Sequence, residues 1–213
     1  MIRGVIFDFD GLFIESEVTA YQAWQELYAS FGQTLPLNLW LQVIGTYDAD
    51  FDPTGYLEDC VGHELDWEAL EPPRRVREWA LADELTLLPG VIDRLDESRE
   101  LGLRCAVASS SSQLWVLHHL KRLGVLNRFE AVCTRDDVVR TKPDPALYLL
   151  ALERLGLQAS DAVAFEDSPN GLAAALAAGL RCVIVPSELT RGADFSGATV
   201  VVDSLATLCL RTL

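Results

Sequence analysis

A short apolar run that ends at two closely spaced aspartates constrains the fold of this chain more than any other feature. Val5, Ile6 and Phe7 form a run typical of a strand buried on both faces, as in a sheet covered by helices. Asp8 and Asp10 come directly after it, and open α/β sheets bind their ligands at the carboxyl ends of strands. We therefore expect a sheet built around this strand and a ligand beyond its end.

The spacing of the two aspartates indicates a cation site. Residues i and i+2 point to the same side of an extended chain, so both carboxylates share one polar space if the strand geometry continues to Asp10. Two carboxylates about 3 Å apart repel each other unless a cation or a proton intervenes. Aspartate and glycine are also ordinary turn residues, so the segment Asp8-Phe9-Asp10-Gly11 suits a simple turn as well.

The rest of the chain divides into a helical part and a part in which strands and helices alternate. Residues 15–87 have helical periodicity and no further buried strand, with a helix expected to break at Pro72 and Pro73. After Leu88 the alternation indicates a mostly parallel sheet with right-handed crossovers. We predict an α/β fold, a doubly wound and mostly parallel sheet. Its core comprises residues 1–14 and 88–213, and residues 15–87 form an inserted all-α cap.

The composition limits the partners of the protein. Half of the 213 residues are hydrophobic, and the net charge is −15. Because no basic stripe is present, we expect neither a nucleic acid nor a membrane partner, and an anionic ligand needs local positive charge. The five cysteines and His63, His118 and His119 show no metal-ligand spacing. We expect a cytoplasmic monomer or weak dimer without a signal peptide.

Polar groups follow four of the predicted strands. They are Asp8 and Asp10, Ser109 and Ser110, Lys142, and the pair Glu166 and Asp167. A parallel sheet brings these strand ends to one edge, so the groups are expected to converge. Each also has a structural alternative: the serines suit a helix N-cap, the lysine an exposed loop, and the acidic pair a helix start.

Carboxylates, hydroxyls and a lysine at one edge are the groups that phosphoryl transfer needs. One carboxylate attacks phosphorus and carries it as an aspartyl phosphate, and a second moves the proton. Acidic groups hold Mg²⁺, which neutralises charge on the phosphoryl oxygens. A serine at the start of a helix forms an anion site, and a lysine supplies a point charge.

Four segments in this order, DFDG, VASSSS, RTKPDP and FEDSPNG, resemble the four motifs of the haloacid dehalogenase superfamily. The resemblance covers nearly the whole chain and is to the phosphatase-like branch with a helical cap after the first motif. It implies a Rossmann-like core, Asp8 as nucleophile and Asp10 as general acid/base. It also implies that Ser109 and Lys142 hold the phosphoryl group, with Ser110 near it through its backbone.

The same resemblance implies a Mg²⁺ cofactor and a substrate class. The ligands would be the Asp8 carboxylate, the Asp10 backbone carbonyl and Asp167, with Glu166 as a further ligand. The function that follows is Mg²⁺-dependent hydrolysis of small phosphorylated metabolites, such as sugar phosphates, through an aspartyl-phosphate intermediate.

Two alternatives stay open. The chain resembles β-phosphoglucomutases in motif and cap type, but Ala20 stands where they have a histidine, and roughly Asp48 where they have an arginine. The cap therefore offers no obvious cation for a second phosphate, which favours a phosphatase over a sugar-phosphate mutase. The other alternative is a non-catalytic phosphate- or metal-binding module. The second aspartate, which the dehalogenases lack, favours phosphate chemistry over halide chemistry.

Overall fold

Six parallel strands form one sheet in the computed structural model, which describes residues 2–213. The strands are Gly4–Phe7 (β1), Arg104–Ala108 (β2), Ala131–Cys133 (β3), Ala162–Glu166 (β4), Arg181–Ile184 (β5) and Val200–Val201 (β6). Their order is β3-β2-β1-β4-β5-β6, so β1 is central and the winding reverses beside it. The predicted doubly wound sheet is confirmed, and every strand pairing is parallel.

The register brings the carboxyl ends of the three central strands to the same level. Phe7 of β1 pairs with Val107 of β2 on one side and with Phe165 of β4 on the other. The chain therefore leaves all three strands at one edge, beside the point where the winding reverses. In open α/β sheets this is the place where ligands bind.

Eight α-helices are present in the described chain: Ser16–Ser30 (α1), Leu37–Trp40 (α2), Pro53–Val61 (α3), Trp67–Asp83 (α4), Val91–Glu100 (α5), Gln113–Arg122 (α6), Ala146–Leu155 (α7) and Pro169–Ala177 (α8). Helices α5 and α6 cover one face of the sheet, and α7 and α8 cover the other. Successive residues of β1 face opposite sides of the sheet. Val5 and Phe7 belong to the hydrophobic cluster under α5 and α6, and Ile6 belongs to the cluster under α7 and α8. None of these helices is both long and apolar enough to cross a membrane.

Helices α1 to α4 lie between β1 and α5 in the chain and have a hydrophobic cluster of their own, which includes Trp24, Tyr28 and Trp40. Helix α4 runs without interruption through Pro72 and Pro73, so the expected break there is wrong. Proline fixes φ near the helical value, and its cost is one lost hydrogen bond and a clash with a carbonyl. Packing of α4 against α1 offsets this cost.

Candidate active site

A row of buried charged groups lies at the carboxyl ends of β1 and β4. The Nζ atom of Lys142 lies 2.5 Å from Oδ1 of Asp8 and 2.6 Å from Oε1 of Glu166. The Tyr148 hydroxyl donates to the same Glu166 oxygen over 2.5 Å. Both Lys142 and Glu166 are fully buried, and Asp8 is nearly so. The lysine is thus fixed between two carboxylates.

The buried charges shift one another's pKa values. Burial raises the pKa of the Asp8 carboxyl, and the positive charge of Lys142 opposes this effect. Burial alone would lower the pKa of Lys142, but the charges of Asp8 and Glu166 outweigh it and raise that pKa. Lys142 therefore remains a positive charge beside the candidate nucleophile at physiological pH.

The Asp167 carboxylate is buried and unpaired. Neither of its oxygens has a hydrogen-bond partner among residues 2–213. The nearby Ser187 hydroxyl bonds to Thr190, whose own hydroxyl donates to the Asp167 backbone carbonyl. A Cβ at Gly11 would lie 2.1 Å from Oδ2 of Asp167, so only glycine lets the loop after β1 approach the Asp167 side chain so closely. A buried and unpaired carboxylate fits a cation site.

Asp8, Glu166 and Asp167 form one acidic cluster, but their carboxylates are not equally free to bind a cation. Oxygens of Asp8, Glu166 and Asp167 lie within 4.8 Å of one another. Burial, followed by the charges of Asp8 and Glu166, raises the pKa of Asp167 well above its usual range. The second Glu166 oxygen accepts from the Asp167 backbone N–H and the Ser168 hydroxyl, so both oxygens of Glu166 are engaged. Asp8 and Asp167 are therefore the carboxylates best able to hold a hard cation.

Four donors surround the carboxylate of Asp10. Oδ1 accepts from the Ser16 hydroxyl over 2.7 Å and from the Trp115 indole N–H over 2.8 Å. Oδ2 accepts from the hydroxyls of Ser111 over 2.7 Å and Ser109 over 3.4 Å. Ser109 and Asp10 are therefore neighbours, as the sequence predicts. The other three donors were not predicted, and only the four-serine run points to Ser111.

The loop that follows α2 contacts the core beside the site. The Ser110 hydroxyl donates to the Gly45 carbonyl over 2.9 Å. Oδ2 of Asp48 accepts from the Thr141 N–H over 2.6 Å and from its hydroxyl over 2.7 Å. Gly45 has a φ of +75°, and a Cβ there would lie 2.2 Å from the Ser168 hydroxyl. The loop and the core thus approach as closely as glycine permits.

A cavity of about 630 Å³ separates helices α1 to α4 from the edge of the sheet. Asp8, Asp10 and Ser109 contribute to its wall on the core side. On the opposite side Arg74 and Arg75 of α4 line the same cavity, and neither residue was singled out from the sequence.

The two cap arginines are already paired. Arg74 is buried, and its guanidinium contacts Glu71 at 2.8 Å and Glu78 at 2.6 Å. It also lies 4.5 Å from the ring centroid of Trp24. Arg75 contacts Glu71 at 2.8 Å and is more exposed. The side of the cavity opposite the core is therefore lined by both charged and aromatic groups.

A second group of possible metal-ligand atoms lies outside this row of charges. Asp83, His118 and His119 each offer one atom within 4.8 Å of the others, although their sequence spacing does not suggest it. The Arg122 guanidinium lies 3.5 Å from Asp83 and its N–H groups point at Nδ1 of His119. An arginine already supplies the positive charge here, so this cluster does not resemble a cation site.

The chain matches the model of the haloacid dehalogenase-like hydrolase family over residues 5–185. A Bacillus subtilis relative named "Putative phosphatase YhcW" is 42% identical over 213 residues, covering 100% of this chain and 96% of the relative. The Thermotoga maritima "Phosphorylated carbohydrates phosphatase" is 30% identical, covering 84% of this chain and 82% of the relative.

Solved structures of CbbY from Rhodobacter sphaeroides superpose on the whole fold. The complex with phosphate has 32% identity and a TM-score of 0.78, covering 98% of this chain and 96% of that chain. A variant in complex with xylulose-(1,5)bisphosphate has 30% identity and a TM-score of 0.76, with the same coverage. The family match and the relatives that are named phosphatases show that this chain belongs to the haloacid dehalogenase-like hydrolases and is a phosphatase.

Proposed function

We propose that this protein is a Mg²⁺-dependent phosphatase that hydrolyses small phosphate monoesters, such as sugar phosphates, by way of a phosphoryl group carried on Asp8. One observation carries the proposal. Asp8 borders the cavity with the charged Lys142 2.5 Å from one of its oxygens and with the uncompensated Asp167 carboxylate in the same cluster. A nucleophile, a fixed cation and an acidic site with unused binding capacity are the parts that this reaction needs.

The first step transfers the phosphoryl group to the protein. An oxygen of Asp8 attacks phosphorus, and the bond between phosphorus and the ester oxygen breaks with its electron pair going to that oxygen. Asp10 gives its proton to the leaving oxygen. Ser109 and Lys142 hold the phosphoryl oxygens, with Ser110 near them through its backbone.

The second step releases phosphate and restores the protein. A water molecule attacks phosphorus and gives a proton to Asp10, and the bond between phosphorus and the Asp8 oxygen breaks. Asp8 returns as a carboxylate, and Asp10 again carries the proton for the next turnover.

The donor set at the acidic cluster fits Mg²⁺. The Asp8 and Asp167 carboxylates and the Asp10 backbone carbonyl would hold the ion, with Glu166 as a further candidate whose oxygens already bond to Lys142 and its neighbours. When bound, the ion would neutralise charge on the phosphoryl oxygens.

We propose that residues 15–87 act as a cap over a core of residues 1–14 and 88–213, excluding water and recognising the leaving group. Aromatic side chains such as Trp24 and carboxylates such as Glu17 line the cavity, a combination that suits the apolar faces and hydroxyls of a sugar. The related CbbY variant that binds xylulose-(1,5)bisphosphate supports a phosphorylated sugar as substrate.

An aryl phosphate assay tests the proposed function. Purified protein should release phosphate from p-nitrophenyl phosphate with Mg²⁺, and Asp8→Asn or a chelator should abolish this activity. Activity that survives either change would contradict the mechanism. A panel of phosphorylated metabolites then identifies the substrate.

The mutase alternative has its own test. With β-glucose 1-phosphate and a bisphosphate activator, we expect phosphate release to exceed isomerisation. Isomerisation that outpaces phosphate release would replace hydrolysis as the main activity.

A further inference from the structure

The indole of Trp115 connects Asp10 to the packing between α4 and α6. Its N–H donates to Oδ1 of Asp10, and the side chain is only 8% exposed. The ring centroid of Trp79, on α4, lies 4.9 Å away, and that of His119, on α6, lies 4.4 Å away, both in edge-to-face orientations. Burial lowers the pKa of His119 to about 4, so near neutral pH it packs as an uncharged ring. The indole is therefore held from both helices.

The four donors around Asp10 differ in whether they can also accept a hydrogen bond from a protonated Asp10. Ser16 and Trp115 bond to Oδ1, and Ser109 and Ser111 bond to Oδ2. A serine hydroxyl can rotate to donate or to accept, whereas an indole N–H can only donate. When Asp10 carries a proton, the Trp115 N–H favours an oxygen that does not bear it, because the hydroxyl oxygen of a carboxyl group is a weaker acceptor than its carbonyl oxygen. The proton then belongs on the other oxygen, where both serine hydroxyls can turn to accommodate it.

We propose that Trp115 is a positioning residue that keeps Oδ1 of Asp10 as an acceptor and so places the transferable proton on Oδ2, beside Ser109. This inference rests on the proposed function, because the placement matters only if Asp10 moves the proton. In the first step the Oδ2–H bond breaks, and the proton goes to the ester oxygen as that oxygen leaves phosphorus with the bonding electron pair. In the second step Oδ2 takes a proton from the attacking water.

Removing the indole N–H tests this role. Trp115→Phe keeps an aromatic ring next to Trp79 and deletes the donor. Its kcat/KM is measured with phenyl phosphate, whose leaving group needs a proton, and with p-nitrophenyl phosphate, whose leaving group departs readily without one. We expect a loss of about tenfold or more for phenyl phosphate and of less than about threefold for p-nitrophenyl phosphate, because general acid catalysis matters most for a poor leaving group.

Trp67→Phe is the matched control. The Trp67 indole N–H donates to Glu58 over 2.9 Å, and neither residue lines the cavity. This variant should keep the wild-type ratio of kcat/KM between the two substrates. If Trp115→Phe does not fold, benzothienylalanine at position 115 keeps a bicyclic aromatic side chain of similar shape, has sulfur in place of the N–H donor, and provides the same comparison.

The outcomes separate this inference from the proposed function. A selective loss with phenyl phosphate supports the role of Trp115. An equal loss of kcat/KM for both substrates, or no loss for phenyl phosphate, overturns the role of Trp115. The proposed function still stands in that case if the wild type shows Asp8-dependent hydrolysis. Wild-type protein without Asp8-dependent hydrolysis of either substrate overturns both.

Discussion

Asp8 and Lys142 contribute differently to stability, although both are proposed to serve the same reaction. Lys142→Met leaves Asp8 and Glu166 buried without their shared cation, so we expect the free energy of unfolding to fall by about 3–5 kcal/mol. Asp8→Asn replaces a carboxyl whose pKa is raised by burial with a neutral amide, and Lys142 keeps Glu166 as its partner. Its stability loss should be much smaller.

Urea unfolding measures the stability of the two variants, and the p-nitrophenyl phosphate assay measures their activity. Both variants should be inactive, but only Lys142→Met should be strongly destabilised. A Lys142→Met protein as stable as the wild type would show that the buried carboxylates do not depend on the lysine.

The unpaired carboxylate of Asp167 predicts a link between metal binding and stability. Adding Mg²⁺ at about 100 times its dissociation constant should stabilise the wild type by about 2.7 kcal/mol. Asp167→Asn replaces an unpaired buried carboxyl, whose pKa burial raises, with a neutral amide, so it should raise the Tm in chelator and abolish the increase with Mg²⁺.

Thermal unfolding with and without Mg²⁺ checks this second prediction. Asp203→Asn is the matched control, because Asp203 is exposed and should respond to Mg²⁺ as the wild type does. An Asp167→Asn variant that still gains stability with Mg²⁺ would remove Asp167 from the ligand set.

At the level of residues, the sequence predicts the groups that lie at strand ends and misses those that arrive from helices. Asp8, Lys142 and Asp167 follow or adjoin buried strands, so their convergence follows from a parallel sheet. Trp115 and Tyr148 reach the site from α6 and α7. Which residue of a helix touches a given carboxylate depends on helix packing, and no local pattern indicates it.

At the level of elements, the loop after α2 joins the cap to the loop that carries Lys142. Asp48→Ala removes two hydrogen bonds to Thr141 and should lower kcat/KM about fivefold, because the loop is held less firmly over the site. Asp50→Ala is the control, since it removes the same charge from an exposed position in the same loop.

Steady-state kinetics of the two loop variants decide this prediction. A similar loss in both variants would point to loop charge rather than to contact with Thr141. The free energy of unfolding should change little in either variant, because both positions are exposed.

The elements themselves follow well from the sequence where burial is complete. Strands β1, β2 and β4 are short and mostly apolar with both faces covered, and the predicted run Val5 to Phe7 lies within β1. The break predicted at Pro72 and Pro73 is wrong because the local cost of proline is outweighed by packing of α4 against α1. Tertiary contacts of this kind leave no periodic signal in the sequence.

At the level of the whole molecule, the net charge of −15 opposes an anionic substrate. The Debye length falls from about 30 Å at 0.01 M salt to about 8 Å at 0.15 M, so salt screens the repulsion from distant carboxylates. We expect kcat/KM for a phosphate monoester to rise over this range at constant Mg²⁺, while kcat changes little.

The salt series is measured with p-nitrophenyl phosphate and a non-coordinating anion. A steady fall in kcat/KM would mean that the local positive charge of Lys142 and the cap arginines governs substrate approach. The cytoplasmic location, the monomer or weak dimer and the absence of nucleic acid and membrane partners stay predictions from the sequence.

The central claim is that the phosphoryl group passes to Asp8, and rapid quenching of Asp10→Asn tests it most directly. This variant is mixed with p-nitrophenyl phosphate and Mg²⁺, quenched in acid and analysed by peptide mass spectrometry. A good leaving group should still depart, while the loss of the acid/base slows the attack of water. We predict a burst of about one p-nitrophenol per site and one phosphoryl group on the peptide that contains Asp8. No burst with an unmodified peptide, or a phosphoryl group on another residue, would contradict the account.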